Sequence, residues 1–262
     1  DRFYRGDDLY GSAAIKLRPT RTGVNASDID LNLKGLRIDG AGGWDGAGGT
    51  SWYKGRVQGK QLGDVLTAWG FAPTVTARDF RMDVDGRWPG SPAAISLKRF
   101  SGSLDAVLHS GQFVEVDGGA QALRVFGLLN FNAIGRRLRL DFSDLFEKGL
   151  AYDRLKGLLV ASEGVYVTRT PIKVTGPSSD FELDGTLDMV RERVAANLQV
   201  SLPVTNNLPL AALIVGAPAV GGALFLVDRL IGDRVSRFAS VHYRVVGPWK
   251  EPKITFVKPF QK

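Results

Sequence analysis

The chain has 262 residues, 44% hydrophobic and 23% charged, with a formal charge of +7. Such a chain can bury a sizeable core, as one large β domain or two smaller ones. It has no cysteine, which excludes disulfides, Cys-ligated zinc and a thiol nucleophile, while its positive balance favours anionic partners without choosing among nucleic acid, acidic lipid head groups and acidic glycans.

The opening DRFYRGDDLY is polar, with no starting Met, signal peptide or apolar leader. The chain therefore reads as a mature protein or a piece cut from a longer one. Alternation with a period of two then dominates, as expected of antiparallel strands with one apolar and one wet face. Ile29, Leu31 and Leu33 alternate with Asp28, Asp30 and Asn32. Gly35 shifts the phase, so that Leu36 and Ile38 carry the apolar face, which suggests a bulge or turn. The glycines between Gly40 and Gly49 match neither GxGxxG nor a P-loop and read as a flexible hairpin tip. Leu62 to Trp69 reads as a short helix. Phe80, Met82, Val84 and Trp88 then alternate with Asp79, Arg81, Asp83, Asp85 and Arg87, and Phe100, Leu104, Ala106 and Leu108 continue the pattern. Ser110-Gly111 reads as a turn.

Gly119 to Leu138 reads as one or two helices ending in the basic Arg136, Arg137 and Arg139. Those arginines suit either helix C-terminal charge compensation or a contact with anionic head groups. Strands return with Phe181, Leu183 and Leu187, then with Val194, Ala196, Leu198, Val200 and Leu202. The run Leu208 to Val227 is the most apolar in the chain, but Gly216, Pro218 and Gly221-Gly222 interrupt it. It reads as a helical hairpin over about 208–238, with a second helix from Pro218 to Phe238. Two readings of the hairpin stay open. It is buried against a sheet, or it meets a bilayer surface through Leu210, Leu213, Ile214, Val220, Leu224 and Phe225, with Arg229, Arg234 and Arg237 at head-group level. Val241, Tyr243 and Val245, then Ile254 and Phe256, close the chain as strands.

Chemistry-bearing constellations are sparse. Neither His109 nor His242 has a second ligand at metal spacing, and no HExxH or GxSxG motif occurs. The run Asp79, Asp83, Asp85, Gly86 alternates like a strand and places Arg81 where a calcium loop needs an oxygen ligand. No RNP-like pattern supports nucleic acid. The reading is therefore of a non-enzyme, with no catalytic residue, metal site or cofactor. A long sheet apolar along one face must be covered, close on itself, or form an apolar trough. An uncovered trough is a ligand or lipid site. Its expected lining is Phe80, Met82, Val84, Phe181, Leu183, Leu198 and Val200.

Several segments in order carry a resemblance: LGDVLTAWG near Gly59 to Gly70, VDGRWPGSP at Val84 to Pro92, Leu138 to Thr168, Ile172 to Pro203, the run after Leu208, and YRVVGPWKEPKI at Tyr243 to Ile254. Together they resemble the C-terminal region of AsmA-like proteins of the YhdP type. The resemblance implies a long twisted antiparallel sheet bent into an open apolar groove, mainly β with a few helices. With the residue pattern, it implies a single β-groove domain over 1–262, with groove strands over 1–118 and a C-terminal region over 119–262 that has helices at about 119–138 and 208–238. It also implies a periplasmic segment of a protein whose inner-membrane anchor is absent from this chain, moving phospholipid between the inner and outer membranes without catalysis. Beside phospholipid, the outer-membrane surface or an envelope protein is an expected partner; the competing expectation is an envelope docking or scaffold module with a dry core that binds a protein partner and carries no lipid.

Overall fold

The computed structural model describes residues 2–5, 8–114, 150–177, 179–203, 225–231, 234–249 and 251–257. Its strands form a 14-stranded antiparallel sheet. In chain order these are β1 (Arg2–Arg5), β2 (Asp8–Pro19), β3 (Gly23–Leu33), β4 (Leu36–Asp45), β5 (Thr50–Lys60), β6 (Val75–Pro89), β7 (Ser101–Phe113), β8 (Leu150–Ser162), β9 (Val165–Thr175), β10 (Asp180–Asp188), β11 (Arg193–Pro203), β12 (Phe225–Ile231), β13 (Arg234–Pro248) and β14 (Lys253–Phe256). From β1 to β11 each strand pairs with the next. β11 then pairs with β13, and β13 takes both β12 and β14 on its far side. The sheet is open, because β1 forms one edge while β12 and β14 share the other.

The period-two pattern becomes two-faced because residues directly opposite in an antiparallel ladder share a face. One apolar row runs Ala13, Leu31, Ile38, Val57, Met82 and Ala106 to Gly157. Gly157 lies against Ile172, and the row continues through Leu183 and Leu198 to Tyr243. A second row runs Gly59, Phe80, Leu108, Leu155, Val174, Phe181 and Val200. The opposite face carries directly opposed charges: Lys54 with Asp85 at 2.8 Å, Arg56 with Asp83 at 2.7 Å and Lys173 with Glu182 at 2.7 Å. Exposed pairs of this kind contribute roughly 0–1 kcal/mol each. Their larger effect is on register, since a one-residue slip would turn charges onto the apolar face.

The reversals at 34–35, the segment 61–74 and the chain ends Phe113, Leu150 and Pro203 lie along one rim of the sheet. The reversals at 20–22, 46–49, 90–100, 163–164 and 189–192 lie along the other. Helix α1 (Leu62–Ala68) forms where the short helix was expected and buries Val65 and Leu66. Val65 packs on the reversal at Gly35, where a Cβ would come within 2.9 Å of its Cγ2.

Three sequence expectations need correction. The glycine cluster is not wholly a hairpin tip, because Gly40, Gly42 and Gly43 lie inside β4 and only 46–49 reverse the chain. Gly40 (φ 150°) sits opposite Gly55, and a methyl group on Gly40 would run into the Lys54 carbonyl. Glycine here lets the strand bend where its neighbour's backbone comes close. Ser110-Gly111 is not a turn either. It lies within β7 with Ser110 at φ 49°, a local kink in a continuing strand. The largest correction concerns the second helix of the hairpin. Phe225–Ile231 and Arg234–Ser240 are paired strands, Ile231 opposite Arg234. The apolar spacing there is compatible with either period over so short a run. The deciding term is the ladder: β11 from Arg193 to Pro203 pairs with Pro248 to Phe238 of β13, and where β13 runs on past β11, its backbone is satisfied by Phe225–Ile231. The rest of the hairpin, 208–224, and the helices expected over 119–138 lie outside the described residues.

Candidate functional site

The candidate site is the apolar face of the sheet. Its central row is half-buried from Leu31 in β3 to Leu183 in β10. At β11 and β13 the same row becomes buried, Leu198 at 7% and Tyr243 at 7% exposure. The lining expected from sequence falls on this face throughout. Phe80, Met82 and Leu183 are half-buried, while Val84, Phe181, Leu198 and Val200 are buried. Val57, Leu104, Leu155 and Leu159 join them on the face. The alternation missed the last two because Gly157 stands between them and β8 shows no clean period.

Tyrosines secure this face toward each rim. On the α1 rim, the Tyr152 hydroxyl in β8 reaches past Gly111 and donates to the Thr76 carbonyl of β6. On the far rim, the Tyr166 hydroxyl donates to the Leu97 carbonyl at 2.9 Å. The Phe100 ring lies over Gly86 and parallel to Tyr166, with centroids 6.3 Å apart. These two rings pack with Val84, Trp88, Ala161, Met189 and Trp249 in one buried cluster. The reversals of that rim are stitched by backbone hydrogen bonds: Gly164 N–H to Phe100 O at 3.0 Å, Met189 N–H to Gly164 O at 2.9 Å and Trp249 N–H to Glu192 O at 3.0 Å. The second buried cluster joins Tyr152, Val174 and Phe181 to Val194, Ala196, Leu198, Val200, Tyr243 and Val245.

Burial raises the pKa of the Tyr152 and Tyr166 phenols well above the ordinary 10.0. Tyr53 is pushed up to about 12, by burial first and then by Asp39 and Asp83. An acid whose folded pKa is raised stays protonated in the native state while the unfolded chain ionises, so stability present below pH 10.0 is lost as pH rises above it. Denaturation midpoints should therefore fall steadily from pH 10 upward. Phenolate absorbance from these three tyrosines should appear with unfolding rather than before it; their ionisation in a native protein near pH 10 would contradict the burial.

The opposite face brings together one pair the sequence left apart. His109 Nδ1 lies 2.7 Å from Asp79 Oδ1 on neighbouring strands, and this contact, with Arg78 alongside, holds the Asp79 carboxyl below its usual range. Among the described residues no group of three or more His, Cys, Asp or Glu is placed to hold a metal ion, and no helix is long and apolar enough to cross a membrane. Of the expected membrane contacts, Leu210, Leu213, Ile214, Val220 and Leu224 lie outside the described residues, as do Arg136 and Arg137. Phe225 opens β12, Arg229 lies within it, and Arg234 and Arg237 lie in β13.

A long open antiparallel sheet, charged on one face and continuously apolar on the other, defines a β-groove protein. The chain belongs to the YhdP protein family, which it matches over residues 2–254. It is 26% identical over 231 residues to the intermembrane phospholipid transporter YhdP of Escherichia coli (strain K12), covering 87% of this chain and 18% of that protein. The chain thus spans under a fifth of the length of that relative. No solved structure matches it significantly.

Proposed function

We propose that this chain is a non-enzymatic segment of a phospholipid conduit, working in the periplasm as part of a longer protein anchored in the inner membrane. The acyl chains lie along the apolar face and the charged face meets water. The observation that carries this reading is the central row from Leu31 to Leu183, apolar across successive strands and only half-buried. A sheet gains about 25 cal/mol for each Å² of apolar surface it removes from water, so such a strip is better occupied than hydrated. The name of the Escherichia coli relative supports phospholipid as the cargo.

Lipid extraction and native mass spectrometry of the purified chain should show bound phospholipid. Met82→Asp should abolish it while leaving the fold in place, because a half-buried carboxylate can still reach water, yet its desolvation by an acyl chain would cost several kcal/mol. A chain that purifies free of lipid and takes none up from vesicles would favour a dry docking module.

A further inference from the structure

We infer that the trough is blind at its C-terminal side. The lipid-accessible strip ends between β10 and β11, so that acyl chains pass into and out of this segment without crossing β11 and β13. The inference rests on the reading of the apolar face as the lipid site and adds where that site stops.

The observation is that burial differs between the two sides of the open sheet. Strands near an edge have fewer neighbours and should be the more exposed. β2, close to one edge, follows that rule, with Leu9 and Leu17 exposed and Ala13 half-buried, whereas the inward positions of β11 and β13, close to the other edge, are shut. In β11, Val194, Ala196, Leu198 and Val200 are 5%, 6%, 7% and 1% exposed, and in β13 Tyr243 and Val245 are 7% and 1% exposed. Their outward neighbours Ala195, Asn197, Arg244 and Val246 are exposed, so the backbone is not itself sunk in the protein. Only the apolar face is filled.

The filling is built, not incidental. Val200 and Val245 belong to one cluster with Tyr152 and Phe181, with Phe113 and Val75 packed against it from the α1 rim. On the far rim the aromatic cluster reaches Trp249 at the end of β13. An interior at native packing density has no room for a hydrocarbon chain. Admitting one past Leu198 would require those side chains to leave their partners. The central row from Leu31 to Leu183 is half-buried, so part of each of its side chains is already open. A lipid that slides along the strip therefore meets a wall at β11, and transfer must proceed over a rim or toward β1.

The test uses the unmodified chain, so folding of a variant is not at issue. Purified protein is incubated with phosphatidylethanolamine and phosphatidylglycerol vesicles containing a phospholipid with a photoactivatable diazirine in its acyl chain, irradiated, and mapped by peptide mass spectrometry. Adducts should occur on the peptides carrying Ile38, Val57, Met82 and Leu104 and be lost to background on those carrying Val194 to Val200 and Tyr243 to Val245. Adducts on Leu198 or Tyr243 in the yield found on Met82 would overturn the blind end while leaving the lipid reading intact. Absence of adducts everywhere would overturn the lipid reading and this inference with it.

Discussion

Val200→Asp should unfold the chain at neutral pH, or nearly so, where Met82→Asp does not. Val200 is 1% exposed and packed among the apolar side chains of β9, β10, β11 and β13. The polar atoms nearest in register, the paired hydroxyls of Ser201 and Ser240, sit one residue along and already bond each other at 2.8 Å. An ionised carboxylate there would be unpaired, so it would take up a proton instead. Holding a carboxyl protonated at pH 7, about three units above its ordinary pKa, costs about 4 kcal/mol. That is most of the stability of a domain at the lower end of the usual range of about 5–15 kcal/mol. The pH dependence identifies the cause. The folded pKa is raised above the unfolded one, so the deficit is absent at acid pH and grows as pH rises above about 4, by about 1.4 kcal/mol per unit. Urea melts at several pH values check this. A deficit that did not change with pH would mean disrupted packing alone and not a buried charge.

Gly86→Ala should be nearly as damaging, and its damage should depend on Phe100. A Cβ on Gly86 would overlap the Phe100 ring, which is 2% exposed and parallel to Tyr166. Either the ring leaves its place or the strands part. Losing a buried phenylalanine costs roughly 3–5 kcal/mol, and Gly86→Ala should approach the lower figure. Because both changes remove one contact, the double variant Gly86→Ala with Phe100→Ala should cost little more than Phe100→Ala alone, far less than the two losses added. Gly102→Ala provides the contrast. Gly102 has φ 143°, and its added methyl would meet the Asp85 carbonyl and the Gly86 backbone. No side-chain deletion removes a clash with backbone, so Phe100→Ala should not relieve it. Denaturation midpoints of the set decide the matter. Full additivity at Gly86 and Phe100 would remove the ring from its assigned place.

How far these sites were readable beforehand differs from residue to residue. Phe80, Met82 and Val84 were legible because every second residue around them is charged, and Leu198 and Val200 because Asn197, Gln199 and Ser201 interleave them. β5 and β8 were harder to read. Gly55 and Gly59 interrupt one and Gly157 the other, so their apolar positions lack a period, although the sheet needs those glycines where strands or side chains come close. His109 was legible only as an isolated residue, since its Asp79 partner is 30 positions away and the two meet through the β6–β7 register.

The local pattern by itself determined the fold class, the apolar and charged faces and the short helix α1, because side-chain alternation and turn chemistry act over a few residues. Tertiary structure alone decided two things. It made Phe225–Ile231 and residues 234–238 strand and not helix, because the two segments satisfy each other's backbone in a ladder continuous with the β13 residues that pair β11, and the short apolar run served either period. It also separated side chains identical in pattern into half-open and closed, Met82 and Leu183 against Leu198 and Val200. Alternation reports which face a residue takes, whereas exposure depends on what is packed over that face from rims and strands far away in sequence.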